Sequence, residues 1–543
     1  MQKSSASFSK DFLLLPYAPM NPTPNSKFFH LSKSLIKTIT SQDKLTKLFY
    51  CLQGDTQSYT RNLHFFSKMR TLSSLNSLHL TFHDDGKYNR TSLKVLMMSI
   101  ASLKNLTNLT IHFSSYVIKD HRIFKDLLFY ISKISSLTHL KLTFQTCNLS
   151  TSSHFKPFAA KLKKLTQLHS LQLIFGPSSG FTEQFINELA FNLPKLRSLT
   201  NIGLHFTGQK TIDGTTIVRL FHSLKAMKML SGISLSFLSC NVVNSTLSID
   251  AISQGLALLD PLSITKLMLN FYTNFDDKCL AKFSQTLQRF TSLSTILLNF
   301  SDCELAKEEV IASLGEALHK LIPLTSLTLS FRIKSASEGF IGRIAGFLKS
   351  MEKLTALHLH FAGQMTSANN DYIHQLFLSL GCLKSLQVLF LNYGHEKKII
   401  NKNLETLAQS LEKLSMLKNL AILFKSAHYS NQGIAVLCDS IQRLQKLYYL
   451  KLGFGYSNAI NEETLEIIAK ALQKIPSLYE INFNFLGCGS GSDDGFAGLF
   501  RRLKDIKSIG NVYTFLSSTR NSIMGRQAAH DLSQKKIVKT YWL

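Results

Sequence analysis

The sequence predicts an α/β solenoid, a bowed horseshoe with parallel strands on its concave face and helices on its convex face. Three observations predict it. An aromatic residue recurs through Phe82, Phe113, Phe144, Phe175, Phe206, Phe237, Phe271, Phe300, Phe331, Phe361, Tyr393, Phe424, Phe454, Phe485 and Phe515, at intervals of 29 to 34 residues that are mostly 30 or 31. Each aromatic closes the phrase L-x-x-L-x-x-L-x-L-x-F, as in Leu165, Leu168, Leu171, Leu173 and Phe175. In several copies an amphipathic stretch follows within about a dozen residues. A fixed period of this length marks stacked supersecondary units, each covering the apolar side of the next.

Taken in order, residues 1–40 form an irregular lead and the start of a cap, because Pro16, Pro19, Pro22 and Pro24 crowd the first 25 positions. Residues 41–70 carry helical patterns and read as an N-terminal cap or degenerate repeat, which the exposed apolar end of a stack requires. Residues 71–520 are the solenoid of about 15 units. Within each unit the last three apolar positions alternate, so their side chains share one side of a short strand. The following helix is exemplified by residues 181–191, where Phe181, Phe185, Ile186, Leu189 and Ala190 fall at helical spacing. Phe515 marks a degenerate last unit, and residues 521–543 are a basic cap or tail carrying Trp542. This arrangement requires Phe144, Phe175 and Phe206 to line up in one column.

On these residues the chain resembles the leucine-rich-repeat proteins, specifically the ribonuclease-inhibitor-like class with a helix in every repeat. The resemblance covers roughly residues 70 to 520. The chain departs from that pattern in the aromatic two places after the last leucine, and an Asn or Cys three residues later occurs only in some copies. The resemblance implies a binding scaffold, since similar proteins serve as inhibitors, GTPase regulators and substrate receptors. Ribonuclease inhibition does not carry over, because a basic scaffold repels basic ribonucleases.

The repeat also overrides the several domains that 543 residues would otherwise suggest. No stretch approaches the ~18 consecutive apolar residues of a membrane span. The segment from Phe12 to Met20 is short, holds two prolines and makes a poor secretory signal. Cys147, Cys240, Cys303 and Cys488 each follow their aromatic by three residues. Strands stack about 4.8 Å apart, so even the nearest pair, two units apart, lies beyond the ~7 Å reach of a disulfide. No cysteine or histidine spacing matches a zinc site. These features predict a reducing compartment, cytoplasmic or nuclear, with no metal and no cofactor.

Charge is the strongest functional feature after the repeat. The net formal charge is +27, which attracts phosphates, anionic lipid heads or acidic proteins. Basic residues recur just ahead of the strand phrase at Lys104, Lys133, Lys164, Lys195, Lys228, Lys320, Lys353, Lys384, Lys413, Lys446 and Lys474. Acidic residues gather in the loops toward the helices, as at Asp84, Asp85, Asp120, Asp276, Asp277, Asp302, Glu304, Glu462, Asp493 and Asp494. One edge is therefore expected to be a basic rim and the other more acidic. Helix dipoles alone select the same pattern, since cations suit helix C-termini and carboxylates N-termini.

The residues between the inward leucines point to the concave side. Over the fourteen clear copies these 28 sites hold thirteen Ser, Thr, Asn or Gln, five His, and only two charges, Lys141 and Lys451. A groove that tracked a nucleic-acid backbone would need many cations and stacking aromatics. Here the only groove aromatic is Phe390. The candidate partner-binding residues are His79, His112, Lys141, His205, Asn270, Asn299, His358, His360, Phe390, Asn392, Lys451, Asn482 and Asn484. His358 and His360 sit two apart on one strand, without a carboxylate or cysteine beside them to complete a metal site.

Two segments imitate catalytic motifs. Residues 487–495, Gly-Cys-Gly-Ser-Gly-Ser-Asp-Asp-Gly, lie between strand and helix but lack phosphate-loop spacing, and Asp493 and Asp494 would repel a phosphate. Residues 176–180 match G-x-S-x-G around Ser178, in a slot that every unit fills with loop residues. The expected function is non-enzymatic: a scaffold gripping a partner protein through the concave sheet or basic rim. The alternative is an RNA- or ribonucleoprotein-associated factor using the rim and C-terminal tail.

Overall fold

The computed structural model describes residues 45–542 apart from 53–64, 83–89, 114–120, 145–160, 177–182, 208–211, 239–244, 272–276, 305–307, 333–338, 363–369, 396–398, 426–427, 458, 489–492, 517–526, 528–530 and 534–536. Among the described residues, seventeen strands, from β1 (Lys47–Leu52) to β17 (Ile537–Trp542), form one parallel sheet. Each strand pairs with its neighbours in sequence, and helices such as Glu183–Asn192, Gly214–Lys225 and Glu462–Gln473 return the chain between them. Strands stack about 4.8 Å apart, whereas packed helices need about 8–10 Å. A stack containing both must bend, with strands inside and helices outside.

Burial follows the alternation read from the phrase. In β2 (Ser77–Phe82), Leu78, Leu80 and Phe82 are buried while Ser77, His79 and Thr81 are half-buried. The aromatics form the expected column, with ring centroids 5.5 Å apart for Phe144 and Phe175 and 5.9 Å for Phe175 and Phe206. Helices seal the other side: Phe185, Ile186, Leu189 and Ala190 are buried, and Phe185 meets Phe175 edge-on. Asp213 and Asn461 each cap a helix by accepting the backbone N–H three residues on, at 2.7 and 2.9 Å.

The stack reaches beyond the aromatic series at both ends. Residues 47–52, in the segment read as a helical cap or degenerate repeat, form β1 against β2, and residues 65–69 are helical. At the other end β17, from the basic tail, pairs with β16 (Asn511–Leu516). One expectation is corrected here. Phe515 pairs with Asn484, not Phe485, so it faces outward and half-buried, and Leu516 (3 % exposed) fills the core position instead.

A hydroxyl ladder runs along the N-terminal ends of the strands. The Thr107 carbonyl accepts the N–H groups of Thr138 and His139, both at 2.9 Å, and the Thr138 hydroxyl at 3.1 Å. Thr107, Thr200, Ser231, Thr265, Ser294, Thr325 and Thr355 repeat the hydroxyl contact to the preceding unit at 3.0–3.3 Å. Further along, the same position is taken by Gln387, Lys418, Tyr448, Tyr479 and Gly510, and the two tyrosine rings stack at 5.2 Å. A methyl on Gly510 would sit 2.4 Å from the Tyr479 ring, so glycine here makes room for that stack.

Candidate partner-binding surface

Every strand presents outward side chains in rows that run across the sheet. One row links His79, Thr110, Lys141, Gln172 and Gly203, and continues through His358, Phe390, Ala421, Lys451 and Asn482. The next row carries His112, His205, Asn270, Asn299, His360, Asn392 and Asn484. All thirteen candidate groove residues therefore fall on the sheet's outward side. A third row lies ahead of these two and includes His139, Lys266, Tyr449 and Glu480.

Burial lowers the pKa of three groove histidines, His205, His358 and His360. His205 reaches across Gly203 to place Nε2 3.1 Å from the Ser234 hydroxyl, and a Cβ on Gly203 would lie 3.1 Å from Gln172 Cγ. Burial, and then Lys141, pull the His205 pKa down to about 4. His358 stacks on Phe390 of the next strand at 5.7 Å, and burial lowers its pKa to about 4 as well. The Asn392 amide donates to His360 Nδ1 at 2.8 Å, and burial followed by the Lys425 charge lowers the His360 pKa. The two histidines of this strand thus turn to different partners on the neighbouring strand, and among the described residues no group of three or more His, Cys, Asp or Glu is placed to hold a metal ion.

Some candidates are structural. Asn270 and Asn299 are only 6 % and 3 % exposed, too deep to meet a partner in this arrangement. Asn299 Oδ1 accepts the Ser301 N–H at 3.0 Å and Asn484 Oδ1 the Leu486 N–H at 3.3 Å, turning the chain as it leaves each strand. Lys451 is half-buried, and its pKa is lowered by burial and by Lys425. Around it Tyr449, Tyr513 and Phe515 stand half-buried on the outward side, giving that end of the groove an aromatic character.

The rim lysines occupy the turns, or the last helical turn, ahead of the strands. Several are engaged. Lys133 and Lys195 each lie 4.2 Å above an aromatic ring, Phe129 and Phe191, and Lys195 also donates to Asn192 Oδ1 at 2.8 Å. Lys320 donates to Gln288 at 2.9 Å, and Lys446 contacts Met416 Sδ at 3.1 Å. Lys104, Lys164, Lys228, Lys353, Lys384, Lys413 and Lys474 are exposed to water. On the opposite edge, Asp277, Glu462, Asp493 and Asp494 stand in the first turns of helices, Asp302 and Glu304 belong to the end of the strand Thr295–Glu304 and not to a loop, and Asp84, Asp85, Asp120 and Asp276 lie outside the described residues.

The motif-like segments resolve in part. Gly487 has a φ of 69°, favouring glycine, and the buried Cys488 thiol donates to the Phe454 carbonyl at 3.1 Å. Residues 489–492 and Ser178 lie outside the described residues, as do Cys147 and Cys240. Cys303 lies in the strand Thr295–Glu304, and Cys279, Cys382, Cys438 and Cys488 are free thiols. Among the described residues no helix is long and apolar enough to cross a membrane. No protein-family model matches the chain, and no curated protein is similar enough to match it.

Sequence reasoning missed the hydroxyl ladder, the third outward row and the aromatic end of the groove. The ladder's signal is a Ser or Thr directly after the middle leucine of the phrase, interrupted at His169.

Proposed function

We propose that the protein is a leucine-rich-repeat scaffold of the ribonuclease-inhibitor-like class, without enzymatic activity, that grips a partner protein through its concave sheet. The observation that carries this reading is the make-up of the outward rows. They are mostly uncharged and polar, with Phe390, Tyr449, Tyr513 and Phe515 toward one end and cations only at intervals. Protein interfaces combine aromatic anchors with neutral hydrogen-bonding groups, whereas single-stranded nucleic acid needs a continuous cationic track. The basic rim would then supply additional contacts and faster encounter.

Affinity capture from native extract, comparing wild type with a Phe390→Ala/Tyr513→Ala/Lys451→Glu variant, tests the reading. A partner protein retained by the wild type and lost by the variant supports it. Identical captures from both proteins would remove the concave sheet as the binding face. The exposed rim lysines favour a second reading, an RNA-associated factor using the rim and tail. That reading requires RNA affinity to fall by roughly three powers of ten between low and physiological salt for six or more phosphate contacts.

A further inference from the structure

The edge of the sheet at the N-terminal ends of the strands has two properties that no groove ligand explains. The first is that it is level. Every strand pairing, from Lys47 with Ser77 to Asn511 with Ile537, starts in register at the same place in the repeat. The breaks in register, after Phe331 and after Tyr393, lie toward the other ends of the strands. The ladder of carbonyls described above ties each turn to the next, so the turn tips follow one another along a single edge of the sheet.

The second property is what the tips carry. Of the twelve exposed large hydrophobic residues among those described, six project from this edge: Met229, Leu262, Ile322, Met416, Tyr448 and Tyr479. Met229, Leu262 and Ile322 are 60, 67 and 69 % exposed, on turns of the central units. Isolated exposed apolar residues are ordinary, but half of them on one level edge form a pattern. Between them stand the exposed Lys228, Lys353 and Lys384, none of which is ion-paired among the described residues.

From this we infer that the level edge is a docking surface for an anionic lipid bilayer. Apolar tips enter the headgroup boundary while lysines meet lipid phosphates and carboxylates, the two-part signal that makes peripheral attachment stable. An RNA partner would satisfy the lysines but leave Met229, Leu262 and Ile322 in water, since a phosphate backbone offers no apolar surface to cover them. Tyr448 and Tyr479, with a hydroxyl on an apolar ring, suit the same boundary. Docking by the edge leaves the concave face open, so the inference goes beyond the scaffold reading and does not depend on it.

Co-sedimentation of the full chain with vesicles of phosphatidylcholine, with and without phosphatidylserine, tests it. The protein is expected to pellet with the anionic vesicles and stay in solution with the neutral ones. Lys228→Gln/Lys353→Gln/Lys384→Gln should weaken binding by about fivefold per lysine. Met229→Ser/Leu262→Ser/Ile322→Ser should weaken it by about tenfold or more, with an unchanged melting temperature because all three side chains are exposed. Pelleting that ignores phosphatidylserine would overturn the inference. So would a serine variant that binds vesicles like the wild type, which would reduce the edge to a general polyanion surface.

Discussion

Phe175 and Phe515 are the same residue type in what reads as the same repeat, yet they do opposite things. Phe175 is fully buried between the rings of Phe144 and Phe206, while Phe515 looks outward beside Tyr513. The difference is one step of register, which moves a strand side chain to the other face. Phe175→Ala is expected to cost about 3–5 kcal/mol in urea unfolding, and Phe515→Ala less than about 1 kcal/mol. The column was legible in the sequence because burial selects the same apolar types every turn. The slip at Phe515 was not, because a gap of 30 residues also occurs at true column positions such as Phe331 to Phe361. At the same scale, His205 and His358 have folded pKa values near 4 against an ordinary value of 6.5. Between those limits the unfolded chain takes up protons that the folded chain refuses. Their contribution to stability is therefore complete above pH 6.5, declines as pH falls toward 4, and is exhausted below. Each ring should contribute on the order of 2 kcal/mol of this loss, discounted for the edge that still meets solvent. A urea titration repeated across this range checks it, and His205→Gln should flatten the decline.

The element that defines each unit is the strand together with the turn that feeds it. Hydrophobic alternation fixes which side of the strand is buried, paired backbone N–H donors to the preceding unit's carbonyl recur at the start of the strands, and in many units a Thr or Ser hydroxyl adds a third donor. Thr325→Val keeps the shape and the two amide donors to the Ser294 carbonyl while deleting the third. It is expected to cost about 0.5–1.5 kcal/mol, with faster hydrogen exchange at the Thr325 and Ser326 amides as the local readout. Pairing it with Thr355→Val, one rung along, should cost more or less than the sum of the two, because the rungs share a neighbour. This ladder escaped sequence reading because Ser and Thr are common throughout the chain. The strand β1 escaped for a different reason: Lys-Leu-Phe-Tyr-Cys-Leu lacks the phrase, and its Phe49 is 75 % exposed. Among the described residues β1 has a neighbour on one side only, so fewer of its positions are constrained. The groove candidates were legible as positions but not as depths. Asn270 and Asn299 occupy the same row as His205, and only the packing shows them submerged.

At the scale of the molecule, each unit touches the ones before and after it, through ring column, carbonyl ladder and helix contacts alike. Nothing in that scheme fixes how many units there are. Removing one whole unit, Ser170 to Thr200, would join His169 to Asn201, and Ser170 and Asn201 already hold equivalent places in the sheet. The shortened chain is expected to fold with an unchanged circular dichroism spectrum per residue. Deleting Leu171 alone should instead unfold the neighbourhood, since it would turn that strand's leucines toward water. Length is thus a currency of whole steps. A polypeptide built this way acts as a ruler with identical graduations, and its reach along any elongated target can be trimmed or extended by one graduation while the remaining marks keep their spacing.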